Sequence, residues 1–508
     1  MRIEPATPHP ILQLKKQQPG LGQRIKNFAL VEKLKNPVGI GLLLLLAGII
    51  AVGVAKFGIV FGGLFLVLLV GLPAMYGVVA YPKFGIIILL ILAYGLFLLG
   101  RLGIPGPMGL VADLLQAALM LGTLLSLRRH NDWQLLKGPV STMIVVWIGY
   151  NLLQIANPSA VSRLAWVYTV RTVAIVLLSY FVFLYNIRTV NFVRLIFKLW
   201  LFMSFCGALY GIKQEFIGFS AAEDAWLHSD PEIAGLLFIA GHWRKFSIFS
   251  DPVAFAYNMN MAAIFCMALI AGKLPMWKKV VLGIFTATFL VSMLYSGTRA
   301  ANVLVPAALF LFAIINYNKK VLVFSCLAAV FLVVLINVPT SDPNLLRFQT
   351  AFRPGEDNSY KLRKYNQERI KPYIYSHPIG FGLGATGGWG KRFGDGSIVS
   401  QFQPDSGYIR VAVELGPVGL LVFCTLMFTV MRTGINNYYR IKDPELKMYC
   451  LGMLLIVFAY NIANFPQEAL VQFPSNVYFS LDMALLTILY RLDQQKQEAQ
   501  HSKLITQT

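Results

Sequence analysis

Fourteen long apolar runs, broken by clusters of glycine, proline and charge, constrain this chain more than any other feature of its sequence. They cover about 38–55, 59–80, 84–100, 109–127, 139–156, 164–186, 192–212, 252–271, 278–296, 300–316, 321–338, 411–431, 447–466 and 475–490. A bilayer core about 30 Å thick takes about 20 apolar residues per helix, and within it every backbone polar group must be satisfied internally. The expectation is an all-α polytopic membrane protein with about 14 transmembrane helices. Composition agrees, because 57% of the 508 residues are hydrophobic and only 13% are charged, against about 25% charged in soluble domains. A soluble globular enzyme, a disordered chain and a disulfide scaffold are thereby excluded. The five cysteines all lie inside apolar runs, with no CxxC and no histidine at metal spacing, and read as small hydrophobes. The first run follows about 37 polar, basic residues and has no small-residue cleavage site behind it, so it reads as a retained helix.

The charge balance, 44 Lys plus Arg against 23 Asp plus Glu, gives a net formal charge of +21. In a soluble chain this would suggest nucleic acid; here it reads first as topology, because basic residues collect on the cytoplasmic side of short loops. With the N-terminus inside, the inner segments gather pairs such as Arg128-Arg129, Lys278-Lys279 and Lys319-Lys320, whereas the short outer turns hold little more than Lys56, Arg101, Arg163 and Arg299. The organisation expected is a cytoplasmic segment 1–37, seven spans in 38–212, and an outer loop 213–251. Four spans in 252–338, a large periplasmic loop 339–410, three spans in 411–490 and a cytoplasmic tail 491–508 complete it. Both outer segments are longer than topology requires, and long loops on such scaffolds are where function concentrates.

Within the large loop, residues 358–375 read as a short helix, with Asn358 or Ser359 as cap and Pro372 near its end. It is either an amphipathic helix lying on anionic headgroups or a cover over a membrane-embedded cavity that offers Arg363 or Lys364 to a phosphate. The glycines from Gly380 to Gly390 formally contain G-x-G-x-x-G, but no strand or βαβ unit surrounds it, which removes a dinucleotide reading. They form a flexible turn or bring backbone amides close to a phosphate. Arg299, in Ser296-Gly297-Thr298-Arg299, stands in a tight outer turn where the next helix starts. It is a snorkelling arginine or part of an anion site. Arg171 lies inside the sixth span, where an ionisable residue calls for a partner, structural or functional. Asp251-Pro252 reads as N-cap and N1 of the eighth span. Asp230-Pro231-Glu232 is a weak metal pattern, and Asp482 faces a polar cavity if it has a role.

Three pieces of sequence resemble the O-antigen ligase and O-antigen polymerase superfamily of bacterial inner-membrane glycosyltransferases. They are Tyr295-Ser296-Gly297-Thr298-Arg299-Ala300-Ala301; the outer segment from Arg363 and Tyr365 to His377-Pro378-Ile379-Gly380-Phe381-Gly382-Leu383-Gly384; and Asp405-Ser406-Gly407-Tyr408-Ile409-Arg410 with Glu414-Leu415-Gly416-Pro417. Arg244, Phe246-Ser247-Ile248-Phe249 and Asp251-Pro252 form a fourth, looser match. Ligases of this family carry a histidine just before the re-entering helix; here Asp405 holds that place, which leans the reading toward the polymerase branch.

The resemblance implies a GT-C-like fold and an undecaprenyl-diphosphate-linked oligosaccharide as donor, with no cofactor, no metal and no nucleic acid as partner. The acceptor would be a glycan or lipid A core, the setting the bacterial inner membrane with its active site facing the periplasm. Diphosphate leaving from C1 develops charge, which guanidinium groups stabilise while gripping phosphate oxygens in pairs. Arg299 and Arg171 are the first candidates for diphosphate binding, with Arg363 and Arg244 behind them. Asp405 or Glu414 suits a catalytic base for the acceptor hydroxyl; for Asp405 the alternative is to cap the helix beginning near Tyr408. Direct displacement with inversion is expected. The rival readings are ligation to lipid A core and a flippase of lipid-linked oligosaccharide, while an ion-coupled transporter fits poorly with the few acidic residues inside the spans.

Overall fold

A computed structural model describes residues 37–101, 108–239, 241–317, 319–341, 343–352 and 358–505. The basic N-terminal segment, together with Asp342, Arg353, Glu356 and Asp357 of the large loop, lies outside the described residues, as do the side chains of the two expected caps, Asn358 and Ser359. The chain divides into two units, 1–76 and 77–508. The first contains the apolar helix Pro37–Phe57 and most of Ile59–Ala80.

The architecture is all-α apart from one two-residue hairpin, Phe238–Ile239 paired with His242–Trp243. Among the described residues nine helices are long and apolar enough to cross a membrane: Pro82–Arg101, Gly109–His130, Pro139–Ala156, Arg163–Asn186, Val190–Phe216, Pro252–Ile270, Met276–Leu294, Gly416–Arg440 and Pro444–Ala463. The other apolar runs also fall in helices, namely Pro37–Phe57, Ile59–Ala80, Leu304–Ile315, Lys319–Asn337 and Ser475–Ile505. The protein is a polytopic membrane protein. Helix starts follow local chemistry. Asp251 accepts from the amides of Val253 and Ala254 with Pro252 at the first helical position, and Asp443 does the same ahead of Pro444.

Burial is uneven. Pro252–Ile270 and Pro444–Ala463 have most of their residues enclosed, whereas Met276–Leu294 presents most of its surface outward. Phe310, Leu421 and Phe428 are each at least 65% exposed. Such rings and branched chains would be a liability in water but are the ordinary lining of a lipid-facing helix. The central helix carries two buried amides. Asn258 Nδ2 bonds back to Ala254 O, and Asn260 Nδ2 donates to Ala301 O at 2.9 Å. That second bond ties the best-packed helix to the turn holding Arg299.

Two expected spans differ in detail. The run 164–186 is three helical pieces, Arg163–Val173, a 3-10 turn Ile175–Leu178 and Ser179–Asn186. The tightened 3-10 turn begins four residues after Arg171, which lies in the last turn of the first piece. The run placed at 411–431 is divided, because Gly407–Glu414 is a separate short helix and the long one starts only at Gly416. Gly416 has φ +71°, and a Cβ there would lie 2.1 Å from Pro378 O. Only glycine tolerates both the conformation and the contact, and so the chain corners at this point. The large loop itself is built of short helices, Pro343–Thr350, Asn358–Ser376, Gly387–Phe393 and Ile398–Gln401.

Candidate functional site

The site starts from the four-residue turn that ends Met276–Leu294. Ser296 is fully buried and its hydroxyl donates to Met293 O, while its oxygen receives the Thr298 amide. Thr298 Oγ1 donates to Pro252 O at 3.1 Å, which fixes the turn against the start of the central helix. A segment from the stretch 213–251 closes over it. The Lys245 amide donates to Tyr295 O, Arg244 Nε donates to Ser296 O at 2.9 Å, and Arg244 Nη2 donates to Thr298 Oγ1 at 3.0 Å. Sequence pieces 50 residues apart thus make one structure, and Asp251 is the N-cap of the helix beside them.

Arginines converge on this turn. Arg299 begins the 3-10 turn Arg299–Val303 that leads into Leu304–Ile315. Arg347, from the large loop, lies over Gly297, whose added Cβ would meet its guanidinium at 3.3–3.4 Å. Burial lowers the Arg244 guanidinium to about 10, with the cations of Arg347 and Arg299 pushing the same way and Asp251 opposing them. It remains protonated at neutral pH, but like charges this close raise the local potential and favour an anion.

The helix Asn358–Ser376 covers the space beside the turn. Ile370 anchors it in a small core with Ala385, Val399 and Val413. Tyr360 and Arg363 line a cavity of about 560 Å3 together with Arg299, Tyr408, Asn461 and Phe465. That volume falls within the range of small-molecule sites. Leu362 and Tyr365 point outward at 59% and 58% exposure, and Lys364 is exposed as well. The cavity-covering reading therefore describes the face bearing Tyr360 and Arg363, and a lipid-contact reading suits the opposite one. No protein acceptor meets the Arg363 guanidinium among the described residues; its electrostatic neighbour is Asp405.

Asp405 is partly buried, and no protein group donates to its carboxylate among the described residues. Burial raises its pKa above the usual carboxylate range, with Arg363 pulling the other way. The cap of Gly407–Glu414 is Ser406, whose oxygen accepts from the Ile409 amide. This corrects the capping alternative for Asp405, since a neighbour one residue on already performs it. A carboxylate raised by desolvation beside a cation, three residues from the cavity-lining Tyr408, is a candidate for proton transfer.

Glu414 is placed differently. It is 2% exposed, receives the Thr386 hydroxyl at 2.7 Å, and lies 3.9 Å from Arg410 Nε. Arg410 in turn holds Glu468 at 2.6 Å. These groups face one another inside the protein and not the arginine cavity. The glycine run is likewise internal. A Cβ on Gly380 would lie 2.4 Å from Glu414 O, and the loop is sewn to the end of the fifth span by Asn157 Nδ2 donating to Gly380 O at 3.0 Å. At Gly380, Gly384 and Gly390 the run is a packing device in which backbone meets protein backbone, which is neither a flexible turn nor a phosphate cradle at those positions. Arg171 is paired with Asp113 at 2.7 Å and lines another cavity, apart from Arg299, Arg363 and Arg244. His377 bonds to Ser376 and stacks on Phe381. Asp230 caps a short helix by accepting from the Glu232 amide. Among the described residues no three His, Cys, Asp or Glu side chains gather as a metal site.

Arg347, Tyr408 and Asn461 are the site residues that sequence reasoning passes over. Arg347 counts there only toward the basic excess of the loop, and the amphipathic turn Pro343–Thr350 that carries it is too short to stand out.

Residues 284–424 match the family model described as O-Antigen ligase. The matched segment contains Arg299, Arg347, Arg363 and Asp405, and Arg244 lies outside it. No curated protein matches the chain. The match supports a function of the general O-antigen ligase and polymerase type at a multi-pass membrane protein. Over residues 284–424 the chain is thus similar to the O-antigen ligase family.

Proposed function

We propose that the protein is a membrane glycosyltransferase that polymerises a surface polysaccharide from an undecaprenyl-diphosphate-linked oligosaccharide at the outer face of the bacterial inner membrane. The observation that carries this reading is the convergence of Arg299 and Arg363 on one cavity, with Arg244 and Arg347 at the same turn and Asp405 beside Arg363. Four cations and few carboxylates suit a diphosphate. Guanidinium donors grip its oxygens in pairs and take up the charge that develops as it leaves. In the reaction, the acceptor hydroxyl oxygen attacks C1 of the donor sugar while the C1–O bond to diphosphate breaks. The hydroxyl proton passes to Asp405 and the configuration at C1 inverts. Guanidinium groups supply the leaving-group stabilisation without a metal ion. Raised basicity at Asp405 favours late proton capture from a poorly acidic hydroxyl.

A second reading, ligation of a finished glycan onto lipid A core, is favoured by the description of the matched family. Purified protein in liposomes, given lipid-linked oligosaccharide alone and then with lipid A core, separates the two. Lengthened chains with released undecaprenyl diphosphate identify a polymerase, and product on the core identifies a ligase. Donor crossing the bilayer without release would reject both in favour of a flippase. Retention of the donor's anomeric configuration in the product would reject the direct displacement.

A further inference from the structure

A second cavity, of about 780 Å3, opens between the spans and is lined by Asp113, Gln116, Arg171, Trp226 and Asn476 among others. A narrow space beside it is lined by Gly407, Arg410, Asn464 and Glu468, and Thr172, Val176, Val471 and Asn476 border both. Tyr408 and Asn461, on the same two stretches of chain, face the arginine cavity instead. The stretches 407–410 and 461–468 therefore lie between the narrow space and the arginine cavity.

The polar groups of this second cavity differ in kind. Arg171 and Asp113 neutralise each other at 2.7 Å, yet their side chains stay 43% and 30% exposed. Arg101 is already committed, donating to the carbonyls of Ser247, Phe249 and Ser250, with Trp226 and Phe246 on its faces at 4.7 and 4.2 Å. Two carboxamides are left over. Asn476 is 5% exposed, and its Oδ1 accepts from the Val477 amide, but its NH2 has no protein acceptor among the described residues. Gln116 has no protein partner for its side chain among the described residues. Both carboxamides line the cavity, where they can meet the hydroxyl groups of a ligand. An apolar tail would leave both amides unmatched, and the Arg171–Asp113 pair presents no net charge to an ion. Paired donors and acceptors beside the aromatic walls of Phe97, Trp226 and Phe473 suit a neutral, hydroxyl-rich ligand with apolar ring faces.

We propose that this cavity binds an oligosaccharide, holding a non-reacting stretch of the glycan apart from the arginine site. The inference rests on the glycosyltransferase reading above and adds the place where the glycan is gripped. Its groups act on binding and positioning; none touches the reacting atoms.

The test uses the full chain in nanodiscs and, as probe, soluble oligosaccharides released by mild acid from the host's own surface polysaccharide. Binding is followed by calorimetry. Saturable binding is expected, weakened about tenfold in Gln116→Leu and in Asn476→Leu and changed by less than about twofold in Arg363→Gln. In turnover, the first two variants are expected to raise KM for the glycan while kcat holds. Gln116 is half-buried on the cavity wall, so its variant keeps the test independent of any folding defect in Asn476→Leu. Undiminished binding by Gln116→Leu, binding lost in Arg363→Gln instead, or no binding by the unmodified protein would each overturn the proposal. Full donor turnover by Arg363→Gln would instead defeat the reading of the arginine site, leaving the binding result to stand by itself.

Discussion

Arginines occupy two kinds of surroundings in this protein. Arg171 faces Asp113, and Arg410 sits between Glu468 and Glu414, so each cation is matched by carboxylate. At the 296–299 turn, Arg244 donates to neutral oxygens and has Arg299 and Arg347 as electrostatic neighbours, while Arg363 lines the adjoining cavity. The first arrangement neutralises itself and holds segments together. The second gathers positive charge around a space, which favours an anion there. Residue type is the same in both; what differs is the partner, and the partner separates a strut from a binding group.

That contrast can be broken by substitution. Asp405→Asn should lower turnover by about 10²–10⁴-fold, the span of general-base contributions, with an unchanged gel-filtration profile; unchanged turnover would remove the carboxylate from the chemistry. Because burial raises the Asp405 pKa, and the base must be ionised, the acid limb of the wild-type pH–rate profile should lie above the ordinary carboxylate range and activity should climb through it as pH rises. A limb at ordinary carboxylate pH would contradict that assignment.

Arg410→Met should reduce stability by about 3–5 kcal/mol, since it strands Glu468 and Glu414 without their cation, and thermal unfolding in detergent measures this. Arg299→Gln should instead leave stability near wild type and cost turnover about 10²–10³-fold. The pair of results sharpens the division between holding and binding; a reversal of the two effects would erase it. Smallest of all, Asp251→Ala should cost about 1 kcal/mol, the value of an N-cap, visible as a modest drop in unfolding temperature.

The helices were readable from the length and spacing of apolar runs, because a membrane permits few alternatives to a helix. The turn at Ser296-Gly297-Thr298-Arg299 and its looser partner at Arg244 were readable as motifs, but their contact needed the fold. Arg171 shows the limit. A charge inside a span announces that it has a partner without saying which, and Asp113 lies 58 residues away. Glu414 and Asp405 looked equivalent in sequence, nine positions apart, and differ because Glu414 is turned inward to Thr386 and Arg410. The cap fell to Ser406 and not Asp405 through a one-residue difference in where the helix begins. Glycine spacing misled for a related reason: close backbone approach is visible in sequence, whereas what approaches is not.

The claim that the turn at 296–299 is a diphosphate site is tested most directly by binding, apart from catalysis. Farnesyl diphosphate, a short prenyl diphosphate, should bind the purified protein in nanodiscs, and Arg363→Gln should weaken it by about tenfold or more while Arg171→Gln leaves it within about twofold. Equal affinity for both variants, or loss in Arg171→Gln alone, would contradict the account.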